Sequence, residues 1–139
     1  RTSYHGGILM FSQEHLNLMK ESLYLFNDQK YWECHEVLEH LWLEDRQDPI
    51  RNIYWAIIQV AAVCIHYRDD NLIGCQGMIA KSKNKFHRCH ESHVVNDFLL
   101  KSLSWDELES IVVSIPENSK IVDFKKLFEF RFKSFESYL

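Results

Sequence analysis

The sequence predicts an all-α protein, and three observations lead to this prediction. Only 4 glycines and 2 prolines occur in 139 residues, so few positions interrupt a helix. Apolar residues recur every three to four positions over long stretches, which is the spacing of one helix face. Aromatic residues make up 14% of the chain and supply large side chains for a core. We therefore expect a single domain, residues 1–139, built as a compact array of six to seven helices.

The first four helices are predicted from helix caps and turn residues. Ser12 can cap a helix that runs to about Phe26, because a serine hydroxyl accepts a backbone N–H of the first turn. Pro49 suits the first turn of a later helix, where its missing N–H is not needed. Because the connection before Pro49 is short, the second and third helices should pack as an antiparallel pair at the centre. The expected spans are about 12–26, 30–45, 50–68 and 72–90.

The residues after His93 are predicted to form a C-terminal helical extension, 94–139. Ser104 and Glu107 have the spacing of a capping box, which would open a helix to about Ile115. A loop at 116–119 then leads to a last helix over 121–139, whose large apolar side chains form a stripe. A stripe of this size should pack onto the helical core or onto another subunit. Its members are Phe124, Leu127, Phe128, Phe132, Phe135 and Tyr138.

Composition excludes several classes of protein. The net charge of −4 gives no general attraction to nucleic acid or to an anionic membrane. The longest apolar stretch, 53–65, is too short to span a bilayer, and no apolar segment near the start is long enough for a signal peptide. The 4 cysteines form no C-x-x-C pair, so neither a disulfide framework nor a zinc ribbon is expected. We predict a cytoplasmic protein with reduced thiols.

The most informative segment is 31–42, on the second predicted helix. With His35 set at zero on a helical projection, Glu39 lies at about 40° and Glu36 at about 100°. His35 is thus expected in the middle of the apolar stripe, with Glu39 beside it and Glu36 at the border with solvent. Burial of these groups is costly unless they are paired, hydrogen-bonded or bound to a metal.

The third predicted helix is apolar nearly all round except at Gln59 and His66. These two residues are seven apart and therefore lie about 20° from each other on the helix. In an antiparallel pair they would face His35 and Glu39 across one interface. We expect the four side chains to meet, with at least one hydrogen bond between the two helices.

Two interpretations of this cluster remain open on the sequence alone. His35, Glu39 and His66 could bind a divalent metal as three protein ligands, which leaves an open position for catalysis with Glu36 as general base. The pattern departs from the zincin motif H-E-x-x-H, because Glu39 stands at the place of the second histidine. Alternatively, the cluster is a buried hydrogen-bond network that ties two helices together.

Two weaker patterns lie on the fourth predicted helix. His87, His90 and His93, with Cys89 among them, have the spacing H-x-x-H-x-x-H, but successive histidines drift round the helix, so at most two could share a zinc ion. The other pattern is a set of cations within about 60° of one another, which could contact phosphates but is more typical of a solvated face. It consists of Lys81, Lys85 and Arg88.

The run 31–42, followed by Ile57-Ile58-Gln59, His66 and Asn71-Leu72-Ile73-Gly74, resembles the family called domain of unknown function 309. The family pattern is roughly Y-F-E-x-H-E-x-L-E-x-x-W, G-L-I-Q, H and N-x-x-G-A, and the resemblance covers about 24–86. It implies a small all-α protein with no established activity. The positions that it singles out are His35, Glu36, Glu39, Gln59, His66 and Asn71.

The function predicted from these observations is a ligand- or partner-binding module, with His35, Glu39, Gln59, His66 and Asn71 as the binding residues. The alternative is a metal-assisted hydrolase, which would require a divalent metal as cofactor. The apolar helices are also compatible with a homo-oligomer. Whether the protein is an enzyme stays open at this point.

Overall fold

The computed structural model describes residues 12–44, 50–94, 100 and 103–133. Within these ranges the chain forms six α-helices and no strand, which confirms the predicted all-α fold. A 3-10 turn, Ile121–Phe124, leads directly into the last helix. The helices are α1 Gln13–Asn27, α2 Tyr31–Glu44, α3 Ile50–Arg68, α4 Leu72–Glu91, α5 Trp105–Ser114 and α6 Lys125–Glu129.

Helices α2 and α3 pack antiparallel, as predicted. At one end, the Trp42 ring centroid lies 5.4 Å from that of Trp55 near the start of α3. At the other end, the Arg68 guanidinium at the end of α3 donates a 3.0 Å hydrogen bond to the carbonyl of Gln29, just before α2. Helix α4 then runs back along α3, since the Cys75 thiol donates to the Val63 carbonyl at 3.7 Å.

Helix α3 is the centre of the array. It packs against α2, α4 and α6. A helix surrounded on most sides buries most of its circumference, which explains why its sequence is apolar nearly all round. Its buried residues are Ile50, Asn52, Ile53, Tyr54, Ala56, Ile57, Ile58, Val60, Ala61, Val63 and Cys64.

Two of the helix starts follow the expected cap chemistry and one does not. The Ser12 hydroxyl accepts the N–H of His15 at 3.1 Å, as predicted for α1. The Asn71 side chain caps α4 by accepting the N–H of Gly74 at 2.9 Å. The capping box predicted at Ser104 does not form: Ser104 has φ 52°, in the left-handed region, and its side chain makes no cap hydrogen bond. A capping side chain needs an extended N-cap backbone to reach the first turn.

The long C-terminal helix predicted over 121–139 is interrupted within the residues that the structure describes. Helix α6 ends at Glu129, and Phe130 adopts an extended backbone with ψ 141°. The Asn27 side chain holds the extended segment, because its amide accepts the N–H of Phe132 and donates to the carbonyl of Phe132, each at 2.8 Å. These two bonds satisfy backbone groups that a helix would otherwise have to satisfy internally.

The predicted packing of the aromatic stripe onto the core is confirmed for the residues that the structure describes. The Phe132 ring lies 5.0 Å from Phe26, and the Phe128 ring lies 4.8 Å from Tyr67. An extended segment places every second side chain on one face, so Phe130 and Phe132 both turn toward α1. Phe135 and Tyr138 lie outside the described residues.

All four cysteines are free and buried. Burial raises the pKa of Cys64 and of Cys89 to about 12, and of Cys75 to about 11. The nucleophilic form of cysteine is the thiolate, so these thiols act as small apolar core groups. In the ranges that the structure describes, none of the helices combines the length and the apolar character needed to cross a membrane.

Candidate functional site

One strip of α3 stays partly open between α2 and α4. Arg51, Trp55, Gln59 and His66 are all half-buried on a helix whose other faces are covered. Their spacing of four, four and seven residues places them on one side of the helix, within about 80°. The two polar residues that the sequence singled out on this helix thus lie on an open strip and not in the core.

A groove opens between this strip and α4. Its volume is about 440 Å³, and it is lined by Trp55, Gln59, Ala80, Lys81, Asn84 and Lys85. This volume lies in the range of small-molecule sites. A depression of about 480 Å³ on the outer face of α1 is lined by one lysine, Lys20, and two carboxylates, Glu21 and Asp28, so it has no excess of positive charge. The lining of the α3–α4 groove contains two lysines, two amides and no carboxylate.

Three cations near the open strip lie over tryptophan rings. The Lys85 ammonium lies 3.5 Å from the centroid of Trp55, and the Arg88 guanidinium carbon lies 6.0 Å from the same ring. The Arg51 guanidinium stacks over Trp42 at 4.0 Å. Such contacts hold a cation in place without neutralising it. Burial, followed by the charges of Arg88 and Lys81, lowers the pKa of Lys85.

No carboxylate of the described residues pairs with these cations. The ion pairs observed in 12–44, 50–94 and 103–133 involve none of Arg51, Lys81, Lys85 and Arg88. An accumulation of unpaired positive charge is unfavourable in the free protein and becomes favourable when an anion binds. The groove therefore carries a local excess of positive charge on a chain whose net charge is −4.

The structure corrects the predicted place of His35. The buried side of α2 is formed by Tyr31, Cys34, Leu38 and Leu41, whose mean direction is about 80° away from His35. His35 is therefore at the edge of the apolar stripe, half-buried, with its ring stacked on that of Trp32 at 5.3 Å.

Glu36 and Glu39 are exposed, on the solvent side of α2. Glu36 was expected at the border with solvent, and its exposure agrees with that expectation. The expectation that Glu39 lies beside His35 on the buried stripe was wrong, because α1 and α3 cover a different arc of α2. Glu36 lines none of the described cavities, so its assignment as a general base stays a prediction without a site around it.

His66 makes a different contact from the one predicted. Its Nδ1 lies 3.3 Å from the Asn71 side-chain nitrogen. Because the Asn71 oxygen already accepts the N–H of Gly74, the nitrogen is the donor, and the neutral imidazole carries its proton on Nε2. No hydrogen bond or ion pair joins any two of the four residues expected to meet, all of which are described: His35, Glu39, Gln59 and His66.

The metal site predicted from His35, Glu39 and His66 is not assembled. No group of three histidine, cysteine, aspartate or glutamate side chains in the described part of the chain is placed to hold a metal ion. Glu39 is exposed on α2 while His66 is bound to Asn71, so the three side chains do not converge. The histidines of α4 are likewise separate: His90 pairs with Glu109 at 2.7 Å and His87 with Glu91 at 3.6 Å.

Sequence reasoning missed Trp55 and Asn84 as lining residues and interpreted Lys81 and Lys85 as a solvated face. One signal was present in the sequence: Trp55 precedes Gln59 by one helical turn, so both had to share a face. The pairing of that face with the lysines of α4 could not be predicted, because helical periodicity gives directions around one helix and not the register between two.

Gly74 is a sensitive position beside His66. A Cβ added there would lie 2.5 Å from both Cγ and Nδ1 of His66, whereas a Cβ at Gly77 would meet nothing within 4 Å. We expect Gly77→Ala to raise the free energy of unfolding by about 0.5–1 kcal/mol, since alanine favours a helix. Gly74→Ala should lower it by about 1–2 kcal/mol, because the clash outweighs that gain.

Urea unfolding of both variants measures the difference, and imidazole NMR signals report whether His66 has moved. Equal stabilisation by the two alanine substitutions would contradict the close contact between α3 and α4 at this end of the groove.

These features define a class of protein: an all-α helical array with an open groove along its central helix. Residues 19–78 match the family model described as Domain of unknown function (DUF309), which confirms the resemblance seen in the motifs. The matched stretch includes α2 and α3 and ends before Lys81, Asn84 and Lys85.

One relative carries the name Uncharacterized protein YpuF. The chain is 36% identical over 52 residues to YpuF of Bacillus subtilis (strain 168), a segment that makes up 37% of this chain. The segment spans 30% of the length of YpuF. No solved structure matches the chain.

Proposed function

We propose that the protein is a ligand-binding module that holds a small organic anion, bearing a phosphate or carboxylate group, in the α3–α4 groove. The observation that carries this proposal is the Lys85 ammonium, which is held on the face of Trp55 inside a groove without any carboxylate. A bound anion would relieve the repulsion among the groove cations.

Each side of the groove has a role in this proposal. Lys81 and Lys85 bind the anionic group of the ligand, and Trp55 provides an apolar wall beside it. Gln59 and Asn84 each offer an amide NH2 group as donor and a carbonyl oxygen as acceptor, which would fix the orientation of the ligand body. His66, about two turns beyond Gln59 on the same strip, is available as a donor through Nε2.

The test is calorimetric titration with inorganic phosphate and with citrate, at constant ionic strength. We expect Lys81→Ala with Lys85→Ala to weaken binding of both anions by tenfold or more, roughly the loss of one charged hydrogen bond. The matched control is Lys125→Ala with Lys126→Ala, which removes the same charge from the exposed surface of α6. Equal losses in the two variants, or no heat from the native chain at millimolar anion, would overturn the proposal.

The alternative of a metal-assisted hydrolase receives no support from an observation on the described residues, since its three ligands do not converge. The binding role rests on groove residues of which only Gln59 belongs to the set that the sequence proposed.

A further inference from the structure

Helix α2 presents an acidic face to solvent. Glu36 and Glu39 are exposed, and the apolar side chains of Trp32 and Leu43, 58% and 55% exposed, flank them. The four residues lie within about 60° of one another on the helix. Neither glutamate forms an ion pair with a described residue, and the range 31–44 contains no lysine or arginine. We call this surface the acidic face.

Helices α2, α3 and α4 lie side by side as a layer. The acidic face and the groove cations lie on the same side of this layer. Trp42 of α2 contacts Trp55, which lines the groove. Glu39 is about 60° further round α2 from Trp42, toward solvent. Across α3, the basic cluster of Lys81, Lys85 and Arg88 borders the same open strip. The open side of the array therefore has negative charge along α2 and positive charge along α4.

The opposite charges are also at the same height along the helices. Trp42 and Lys85 both contact Trp55, and α2 and α4 both run antiparallel to α3. At a rise of about 1.5 Å per residue, Glu39 lies about 4.5 Å and Glu36 about 9 Å from Trp42 along the axis of α2. Lys81 lies about 6 Å from Lys85 along the axis of α4, also toward the start of its helix. The two glutamates thus bracket the height of Lys81.

This arrangement is self-complementary under one symmetry operation. A two-fold axis parallel to α3 places α2 of one copy opposite α4 of the other and leaves the position of each residue along the α3 axis unchanged. It would bring α2 of each copy onto α4 of the other, with both charge contacts formed twice. We propose that the chain forms a two-fold homodimer in which the acidic face of each copy binds the basic cluster of the other.

The area available is sufficient for a stable dimer. Helix α3 has 19 residues and is therefore about 28 Å long. Three helices at ordinary spacing are about 27 Å wide. The face of the layer then offers roughly 800 Å² per copy, the share of each partner in an interface of standard size. Exposed Trp32 and Leu43 add apolar area, which stabilises association beyond the charge contacts.

This proposal rests on the proposed function, because Lys81 and Lys85 would bind the carboxylates of the partner copy just as they would bind a small anion. The two kinds of anion would therefore compete for the same lysines. The two proposals are separable by experiment. Glu36→Lys with Glu39→Lys removes the dimer contact while leaving the groove lysines in place, so phosphate binding by this variant tests the groove alone.

The decisive experiment is charge-swap complementation, followed by sedimentation velocity over a concentration series. The native chain should be a dimer that dissociates at high salt. Glu36→Lys with Glu39→Lys, and separately Lys81→Glu with Lys85→Glu, should each raise the dimer Kd by about 100-fold or more, because like charges then face each other. An equimolar mixture should form a heterodimer, since both of its contacts pair opposite charges.

A matched control carries the same charge change elsewhere. Glu21→Lys with Glu33→Lys alters exposed residues outside the acidic face and should stay dimeric. Circular dichroism establishes that each variant is folded. A monomeric native chain at about 100 µM, where interfaces of standard size are populated, overturns the proposal. Folded charge-swap variants that remain dimeric, or that fail to associate when mixed, overturn it as well.

Discussion

Deletion of residues 120–139 is expected to abolish cooperative unfolding. The described part of the deleted segment, 120–133, contributes these buried side chains to the core: Phe124, Leu127, Phe130 and Phe132. Burial of a large apolar side chain is worth about 1.5–3 kcal/mol, so their joint loss is of the order of 6–12 kcal/mol. That equals most of the stability of an ordinary domain, about 5–15 kcal/mol. Phe26 would also lose its ring contact with Phe132, and Tyr31 its ring contact with Phe128.

Thermal unfolding followed by circular dichroism, together with binding of a hydrophobic dye, measures this outcome. If the shortened chain cannot be obtained in solution, Phe130→Ala with Phe132→Ala in the full chain provides the same test. An unchanged melting curve for either protein would show that the segment is not part of the core.

Replacement of Phe26 by alanine should cost about 3–5 kcal/mol, the range for loss of a buried phenylalanine. Phe26 is fully buried where three elements meet, with its ring 5.1 Å from that of Tyr31 and 5.0 Å from that of Phe132. Its removal would leave a cavity lined by rings that belong to α2 and to the C-terminal segment. Those rings are held by other contacts and can collapse only in part.

Urea unfolding of Phe26→Ala measures the cost, and Val122→Ala is the control. Val122 is also apolar, but it is 64% exposed and lies outside the proposed dimer contact, so its replacement should change the free energy of unfolding by less than about 1 kcal/mol. Similar losses in the two variants would mean that the ring cluster around Phe26 does not stabilise the fold.

The cations of the groove lie outside the part of the chain that matches the family model. The family match ends at residue 78, and Lys81, Asn84 and Lys85 lie beyond it. The matched part supplies the Trp55 and Gln59 side of the groove, while the cations that favour an anion come from the second half of α4.

The sequence by itself determined the local structure of the first four helices. Ser12 starts α1 because its hydroxyl satisfies a free N–H, and α3 is predictable as the central helix because apolar residues surround its axis. The antiparallel pairing of α2 and α3 follows from the short chain between them. These features depend on interactions within a few turns of the chain, so periodicity and cap chemistry suffice to predict them.

Only the tertiary structure decided what the polar residues contact and where the last helix ends. His35 lies at the edge of the buried stripe because α1 and α3 together cover a different arc of α2 from the one that its own sequence suggests. Lys85 meets Trp55 only through the register of α4 on α3. The chain leaves the helix at Phe130 because Asn27, 105 residues away from Phe132 in sequence, binds the extended backbone. Such contacts join distant parts of the chain, and local pattern carries no information about them.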